Sequence, residues 1–233
     1  MNLDLKVIAH RGIFDNIKIP ENSLQSFKKA INKSYPFELD VQLTKDNFLV
    51  VFHDDNLKRM TGIDKNIQDT TYEEIKNLNL LNSDCKIPLF SEVLKLNNDK
   101  VYIDIEVKTT SRLNDTVDKL MSELHGYNKF IIKSFDPRIV RYIKKKYPNI
   151  ICGFLIKNNY SNKFYNFILK SKFILKYCKC DFVSISKKLY KNKKFTKIIK
   201  NFPLQLWTID NLSEVNYKDN ITYICNNIES FSK

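Results

Sequence analysis

Residues 37–55 read FELDVQLTKDNFLVVFHDD and decide the fold of this chain. The run FELDVQL is short, rich in β-forming residues and largely apolar, which is typical of a strand. Glu38 and Asp40 stand two residues apart, so an extended strand would project both carboxylates to the same side. The next run, FLVVFHD, has the same character and ends on His53 and Asp54. The stretch therefore predicts two strands that bear acids and a histidine.

The same arrangement recurs on both sides of this stretch. Upstream, the apolar run KVIAH ends in His10, Arg11 and Gly12. Downstream, the run VYIDIEVK alternates apolar with charged residues, which puts three charges on one face: Asp104, Glu106 and Lys108. Charged side chains on the inner face of an apolar strand are costly unless they are paired or bind a metal ion. We therefore expect these residues to form a site.

Strand-like runs alternate with helical segments over the whole chain. Nine runs have strand character: KVIAH, FELDVQL, FLVVFHD, VYIDIEVK, FIIKSF, ICGFLI, FVSIS, LQLWTI and ITYICN. Between them, segments such as ENSLQSFKKAINK have helical spacing, with Leu24, Phe27 and Ile31 on one face. Asn22 is placed to cap that helix. The alternation predicts an α/β fold with a mainly parallel sheet, and about eight such units close into a (β/α)8 TIM barrel.

One stretch, from Asp54 to Asp99, interrupts this rhythm. It contains two helical segments with little strand character, TYEEIKNLNL and IPLFSEVLKL. We interpret it as an insertion, about residues 54–99, over one end of the barrel. Because no linker, low-complexity tract or internal repeat marks a boundary, residues 1–233 are expected to form a single domain.

The composition restricts the class of partner. The chain has 39 Lys and Arg against 26 Asp and Glu, and its net charge of +13 would attract phosphate-bearing ligands, nucleic acid or anionic lipid. No recognised nucleic-acid-binding module accompanies this charge, so nucleic acid is not expected as a partner. Five cysteines, an odd number, argue against a disulfide framework. The N-terminus lacks a targeting pattern and no apolar run is long enough to span a membrane, so a cytoplasmic location is expected.

The residue types at the strand ends indicate metal-assisted phosphodiester cleavage. Glu38, Asp40 and Glu106 offer an oxygen-rich site suited to a hard divalent cation, Mg²⁺ or Ca²⁺. His10 and His53 could supply a general acid and a general base, and the sequence leaves open which histidine has which role. Arg11 could bind a phosphate oxygen in bidentate fashion, while Lys108 would supply a point charge.

Several motifs carrying these residues occur in order along most of the chain. They are AHRG, PENSLQSF, FELDVQLTKDNFLVVFHDDNLKRMTG, IPLFSEVL, IEVK and IIKSFDP, and LQLWTID is a weaker match. Together they resemble the glycerophosphodiester phosphodiesterase family. The resemblance implies a (β/α)8 barrel with a small inserted segment after the His53 strand.

The resemblance also implies roles for individual residues. His10 and His53 would be the acid–base pair, and Arg11 and Lys108 would contact phosphate. Trp207 would be the aromatic residue of the pocket wall. The divalent cation would be held by three acids: Glu38, Asp40 and Glu106. Asp104 departs from the family, which often has a neutral amide there, and would add one acid to an already negative pocket.

The leading hypothesis is hydrolysis of glycerophosphodiesters, small-molecule substrates, to glycerol 3-phosphate and an alcohol. A close alternative is a lysophospholipase D or phosphoinositide phosphodiesterase, in which the Lys- and aromatic-rich residues 164–179 touch an anionic membrane. The favoured interpretation of that segment is a barrel helix with lysines outside, so any membrane contact is expected to be weak. An alternative of another class is a non-enzymatic protein that binds nucleic acid or an anionic polymer. Three acids converging at the centre of a binding groove argue against it.

Overall fold

All nine strand-like runs become strands in the computed structural model, which describes residues 5–216, 220–226 and 228–231. The strands are β1 (Val7–Ala9), β2 (Phe37–Leu43), β3 (Leu49–Val51), β4 (Ile103–Val107), β5 (Phe130–Ser134), β6 (Cys152–Ile156), β7 (Phe182–Ser186), β8 (Leu204–Ile209) and β9 (Ile221–Cys225). Eight of them pair in parallel, in the order β1-β2-β4-β5-β6-β7-β8-β9, and β9 pairs with β1 to close the barrel. The predicted (β/α)8 fold is confirmed.

Strand β3 is the exception, because it lies outside the barrel. It pairs antiparallel with β2, with Val51 opposite Val41. The connection between β2 and β3 has five residues, 44–48, whereas a parallel crossover needs about a dozen or more. A hairpin is therefore the arrangement that the chain can form here. It returns the backbone toward the middle of β2, where the Phe52 amide donates to the Asp40 carbonyl at 2.9 Å.

Ten helices are assigned within the described residues. They are α1 (Leu24–Asn32), α2 (Lys58–Thr61), α3 (Tyr72–Ile75), α4 (Phe90–Asn97), α5 (Leu113–Glu123), α6 (Pro137–Lys146), α7 (Lys163–Ile168), α8 (Lys172–Cys178), α9 (Lys187–Tyr190) and α10 (Lys193–Ile199). Each of these helices is too short or too polar to cross a lipid bilayer. All five cysteines are free and buried, as expected for a chain without a disulfide framework.

The first helix begins one residue later than the sequence suggests. Ser23, and not Asn22, is the N-cap of α1, and it forms a reciprocal capping box with Ser26. Asn22 has a positive φ of 54°, in the left-handed region that asparagine tolerates better than most residues. Its side chain is thereby freed for a contact in the barrel, because its Nδ2 donates to Asp40 Oδ2 at 2.9 Å.

The segment between β2 and β4 has a small hydrophobic cluster of its own. The cluster is built from Val50, Phe52, Leu57, Met60, Ile67, Ile75, Leu80, Cys85 and Ile87. In contrast, Phe90, Val93 and Leu94 of α4 join the main core between barrel and helices. Helices α2 and α3 thus belong to this small cluster, whereas α4 belongs to the main core. The limits of the insertion, about residues 54–99, stay a prediction.

Residues 164–179 form two helices instead of the single barrel helix that the sequence suggests. The Ser171 side chain caps a new helix by accepting from the Ile174 amide. Helix α8 buries Ile174, Leu175 and Cys178 against the barrel, whereas α7 buries none of its residues. The barrel-helix interpretation therefore holds for α8 alone.

The floor of the barrel depends on one glycine. The ring of Phe182 fills the interior beside Gly153, its neighbour in the β6–β7 register, and packs with Leu5 and Ile131. A Cβ atom at position 153 would overlap the Phe182 ring. Since Phe182 is 2% exposed, the ring has little space into which it could move.

We predict that Gly153→Ala lowers the free energy of unfolding by about 1–3 kcal/mol, because it overpacks this floor. Urea denaturation measures the change. In a Phe182→Leu background the smaller side chain should accept the new methyl group, so the same substitution should cost much less there. An equal loss in both backgrounds would show that the clash with Phe182 is not the cause.

Candidate active site

The strand register brings the charged residues of the sequence together inside the barrel. Glu38 lies opposite Asp104, and Asp40 lies opposite Glu106, in the parallel pairing of β2 with β4. Side chains at paired positions of neighbouring strands point to the same face. All four acids therefore enter the interior, where each is at most 7% exposed.

Three of these acids form a compact cluster at the carboxyl end of the barrel. Carboxylate oxygens of Glu38, Asp40 and Glu106 all lie within 4.8 Å of one another. The structure thus brings together the three residues that the sequence suggested as metal ligands. Lys108 lies against two of them, with its Nζ 2.7 Å from Glu106 Oε1 and 3.2 Å from Asp40 Oδ1.

The acids of the cluster differ in how well their charge is compensated. Burial raises the pKa of Glu38 to about 8, although the nearby Lys133 ammonium acts in the opposite direction. Burial would also raise the pKa of Asp40, but the cations of Lys108 and Arg11 hold it well below its ordinary value. Glu38 is therefore the member whose negative charge the protein compensates least.

Lys133, on β5, is a site residue that the sequence reasoning missed. It is 1% exposed, and its Nζ lies 2.7 Å from Asp104 Oδ2 and 3.5 Å from Glu38 Oε1. Gln205 on β8 donates to the same Asp104 oxygen at 2.7 Å. The acid that Asp104 adds to the barrel interior is thus paired with a cation. Its position inside the apolar run FIIKSF was the sequence signal that could have identified the lysine, which lies opposite Glu106 in the register of β4 with β5.

His10 is held in one orientation by the Asn226 amide, which is itself fixed by Asp210. Its Nδ1 lies 2.7 Å from Asn226 Oδ1, and Asn226 Nδ2 donates to Asp210 Oδ1 at 2.6 Å. The second contact fixes the amide so that its oxygen faces the imidazole, which assigns the hydrogen to Nδ1. Nε2 is left facing the acids, 3.9 Å from Glu38 Oε2. Burial, aided by the Arg11 charge, lowers the pKa of His10 to about 3.

His53 lies across the cavity from the first strand and has a carboxylate partner. Its Nδ1 is 2.6 Å from Asp54 Oδ1, and the other oxygen of Asp54 accepts from Arg59 Nε at 2.5 Å. Arg59 also donates from Nη2 to Glu21 Oε1 at 2.7 Å. The hairpin strand β3 positions His53, and α2 provides the arginine that fixes its partner.

Arg11 connects the first loop to the acid cluster. Its Nη1 donates to Glu21 Oε1 at 2.7 Å, and its Nε is 3.5 Å from Asp40 Oδ2. The Arg11 amide donates to Glu38 Oε2 at 3.2 Å. Glu21 therefore joins Arg11 to Arg59, so the loop after β1 and the segment after His53 share one carboxylate.

A cavity of about 130 Å³ opens among these side chains. Its polar wall contains His10, Arg11, Glu38, His53, Glu106 and Lys133, and its apolar wall contains Phe135, Leu155, Trp207 and Ile224. Trp207 packs edge-on against Phe135, with ring centroids 5.7 Å apart. Asp40 and Lys108 lie behind the cavity wall. A larger cavity of about 620 Å³ between α1, α3 and α4 is lined by neither His10 nor His53, so we assign the chemistry to the smaller one.

The sequence is similar to that of named phosphodiesterases. A "Glycerophosphodiester phosphodiesterase" from Caldanaerobacter subterraneus subsp. tengcongensis is 38% identical over 161 residues. That match covers 64% of this chain and 65% of the relative, so the similarity extends over somewhat less than two thirds of the relative's length.

Solved structures share the fold over nearly the whole chain. A glycerophosphodiester phosphodiesterase from Thermotoga maritima is 25% identical, with a TM-score of 0.76, and the match covers 99% of this chain and 98% of that one. An Oleispira antarctica phosphodiesterase, solved with sn-glycerol-3-phosphate, is 22% identical with a TM-score of 0.79, covering 97% and 94%. The model of the glycerophosphoryl diester phosphodiesterase family matches residues 10–224. This chain therefore belongs to the glycerophosphoryl diester phosphodiesterase family.

Proposed function

We propose that this protein hydrolyses glycerophosphodiesters to glycerol 3-phosphate and an alcohol, with a divalent cation as cofactor. The observation that carries the proposal is the cavity in which two histidines and a cluster of carboxylates meet. The name of the 38% identical Caldanaerobacter protein supports the same substrate class. A cytoplasmic location stays a prediction, as does the absence of nucleic acid among the partners.

The charges inside the barrel fit a bound cation. Four carboxylates and three cations share the interior among the described residues: Glu38, Asp40, Asp104 and Glu106 with Arg11, Lys108 and Lys133. One negative charge remains uncompensated, which agrees with the raised pKa of Glu38. We propose that Glu38, Asp40 and Glu106 hold Mg²⁺ or Ca²⁺ through their oxygens. When bound, the cation would stabilise the charge that develops on the phosphoryl oxygens.

We propose that His10 is the general base. Its ring is neutral at pH 7 because its pKa is lowered to about 3, and its Nδ1 is engaged with Asn226. The lone pair of Nε2 is therefore free to take the proton of the attacking oxygen, which belongs to water or to a neighbouring glycerol hydroxyl. The phosphorus–oxygen bond to the alcohol breaks as the new bond forms. Attack by water gives glycerol 3-phosphate directly, whereas attack by the hydroxyl gives a cyclic phosphate, which a water molecule must then open by breaking one ring phosphorus–oxygen bond.

We propose that His53 is the general acid. Asp54 accepts from His53 Nδ1, so its carboxylate offsets the positive charge of the ring when both nitrogens carry protons. The Nε2 proton would then pass to the alcohol oxygen as it leaves. Arg11, which lines the cavity, would contact a phosphate oxygen. Lys108, which pairs with Asp40 and Glu106, would add a positive charge that attracts the phosphate. Trp207 and Phe135 would form the wall against the substrate.

We predict that replacing each histidine has a different effect on two substrates. His10→Ala should reduce kcat about 10²–10⁴-fold, both for glycerophosphocholine and for a nitrophenyl glycerophosphodiester. His53→Ala should reduce kcat comparably for glycerophosphocholine but far less for the nitrophenyl ester, whose leaving group needs no proton. His125→Ala, at an exposed position, is the matched control and should retain full activity. The reverse pattern would exchange the two roles.

We also predict that Glu38→Gln weakens cation binding without lowering the stability of the metal-free protein. Chelation with EDTA should abolish activity of the unmodified protein, and Mg²⁺ or Ca²⁺ should restore it. The variant should bind the cation at least about tenfold more weakly in calorimetric titration. Its metal-free Tm should be equal or higher, because the substitution removes a buried carboxyl group whose charged form burial disfavours. Glu73→Gln makes the same change at an exposed carboxylate and should alter neither quantity. Unchanged cation affinity in Glu38→Gln would remove Glu38 from the proposed ligand set.

A further inference from the structure

The segment between β6 and β7 presents aromatic side chains to solvent. Phe164, Phe167 and Phe173 are 68%, 76% and 72% exposed, which makes them some of the most exposed large apolar side chains in the described residues. Helix α7 has six residues and buries none of them. Apolar side chains clustered in this way on a protein surface commonly mark an interaction site.

Both helices are attached to the protein through other residues. Ile168 and Leu169, at the end of α7, pack against the main core, and α8 buries Ile174 and Leu175. Phe164 and Phe167 are three residues apart and share the outer face of α7. A connection of three residues, 169–171, keeps α7 and α8 close in space. These four aliphatic side chains make the contacts with the core, and the phenylalanines are left exposed to solvent.

Exposed lysines lie close to these phenylalanines in the sequence. Lys163, Lys172, Lys176 and Lys179 are exposed, and within the described part of the chain no ion pair with a carboxylate is found for any of them. We call the three phenylalanines and these four lysines the aromatic–lysine surface. The sequence around it is unusually basic. Residues 137–209 contain eighteen Lys and Arg and a single acid, Asp181, so this segment carries +17 while the whole chain carries +13.

Helix α7 lies at the end of the barrel that carries the candidate active site, whereas Lys172 and Lys176 of α8 line a cavity with Lys200 and Phe202, which precede β8. Helix α7 begins seven residues after β6, whose Leu155 lines the active-site cavity. Segments that follow the carboxyl ends of parallel barrel strands form the upper rim of the barrel. Ile17, in the loop after β1, adds a 76% exposed apolar side chain to the same rim.

We propose that the aromatic–lysine surface docks this protein onto a lipid bilayer that contains anionic lipids. Aromatic rings insert at the boundary between headgroups and acyl chains, and lysines beside them bind the negative headgroups. The charge favours this occupant over a second copy of the chain, because two surfaces that each carry four exposed lysines would repel each other. The rings protrude from helices and do not line a groove, which argues against single-stranded nucleic acid. The proposal does not depend on the proposed hydrolysis.

Vesicle sedimentation of the full chain tests the proposal. The protein should pellet with vesicles of 70% phosphatidylcholine and 30% phosphatidylglycerol and stay in solution with phosphatidylcholine alone. The triple variant Phe164→Ala, Phe167→Ala, Phe173→Ala should bind at least about tenfold more weakly. The double variant Lys172→Ala, Lys176→Ala should lose at least about tenfold as well, since each lysine near the surface contributes about fivefold.

The matched control is Lys95→Ala, Lys100→Ala, which changes the net charge equally at two exposed lysines on and after α4. It should bind vesicles nearly as well as the unmodified protein. Equal loss in both lysine variants would overturn the proposal, because binding would then follow net charge alone. Binding that survives the loss of all three phenylalanines would also overturn it. So would a dimer in sedimentation velocity, or preferential binding of single-stranded RNA, that those substitutions abolish.

Discussion

Compensation of buried negative charge is the constraint on which this structure depends. Parallel register brings four carboxylates into a closed barrel, where little water can reach them. Arg11, Lys108 and Lys133 each pair with two of the acidic groups around them, which keeps the interior folded and ordered. The compensation is incomplete at Glu38. In the proposed account, Glu38, Asp40 and Glu106 would hold a divalent cation that supplies the missing positive charge and attracts a phosphodiester.

The arrangement has two levels with different tasks. Lys133, Asp104 and Gln205 form a buried layer of mutual contacts beneath the cluster, supported from below by Phe182 against Gly153. Above it, contacts from three separate segments of the chain orient the histidines. Asp210 and Asn226 hold His10, while Asp54 and Arg59 hold His53. Glu21 joins Arg11 to Arg59, so the two sides of the cavity are mechanically connected.

Much of the fold and the site could be predicted because the pattern of alternation is local. The strand runs, the acids at two-residue spacing and the histidines at strand ends all follow from the order of residues. The hairpin at β3 could have been predicted from its short connection, but its apolar run resembles a barrel strand. The pairing of Lys133 with Asp104 depends on register between strands that are far apart in sequence. The cap at Ser23 was ambiguous because Asn22 beside it is an equally good capping residue, and only the tertiary contact with Asp40 decides between them.

Crystals soaked in Mn²⁺, with anomalous diffraction data, test the central claim most directly. The account predicts one strong anomalous peak at the carboxyl end of the barrel, in contact with oxygens of Glu38, Asp40 and Glu106. Glycerol 3-phosphate added to the same crystals should bind beside that peak, between His10 and His53. A cation bound elsewhere, or a cluster in which Lys108 keeps both of its ion pairs and no peak forms at saturating Mn²⁺, would contradict it.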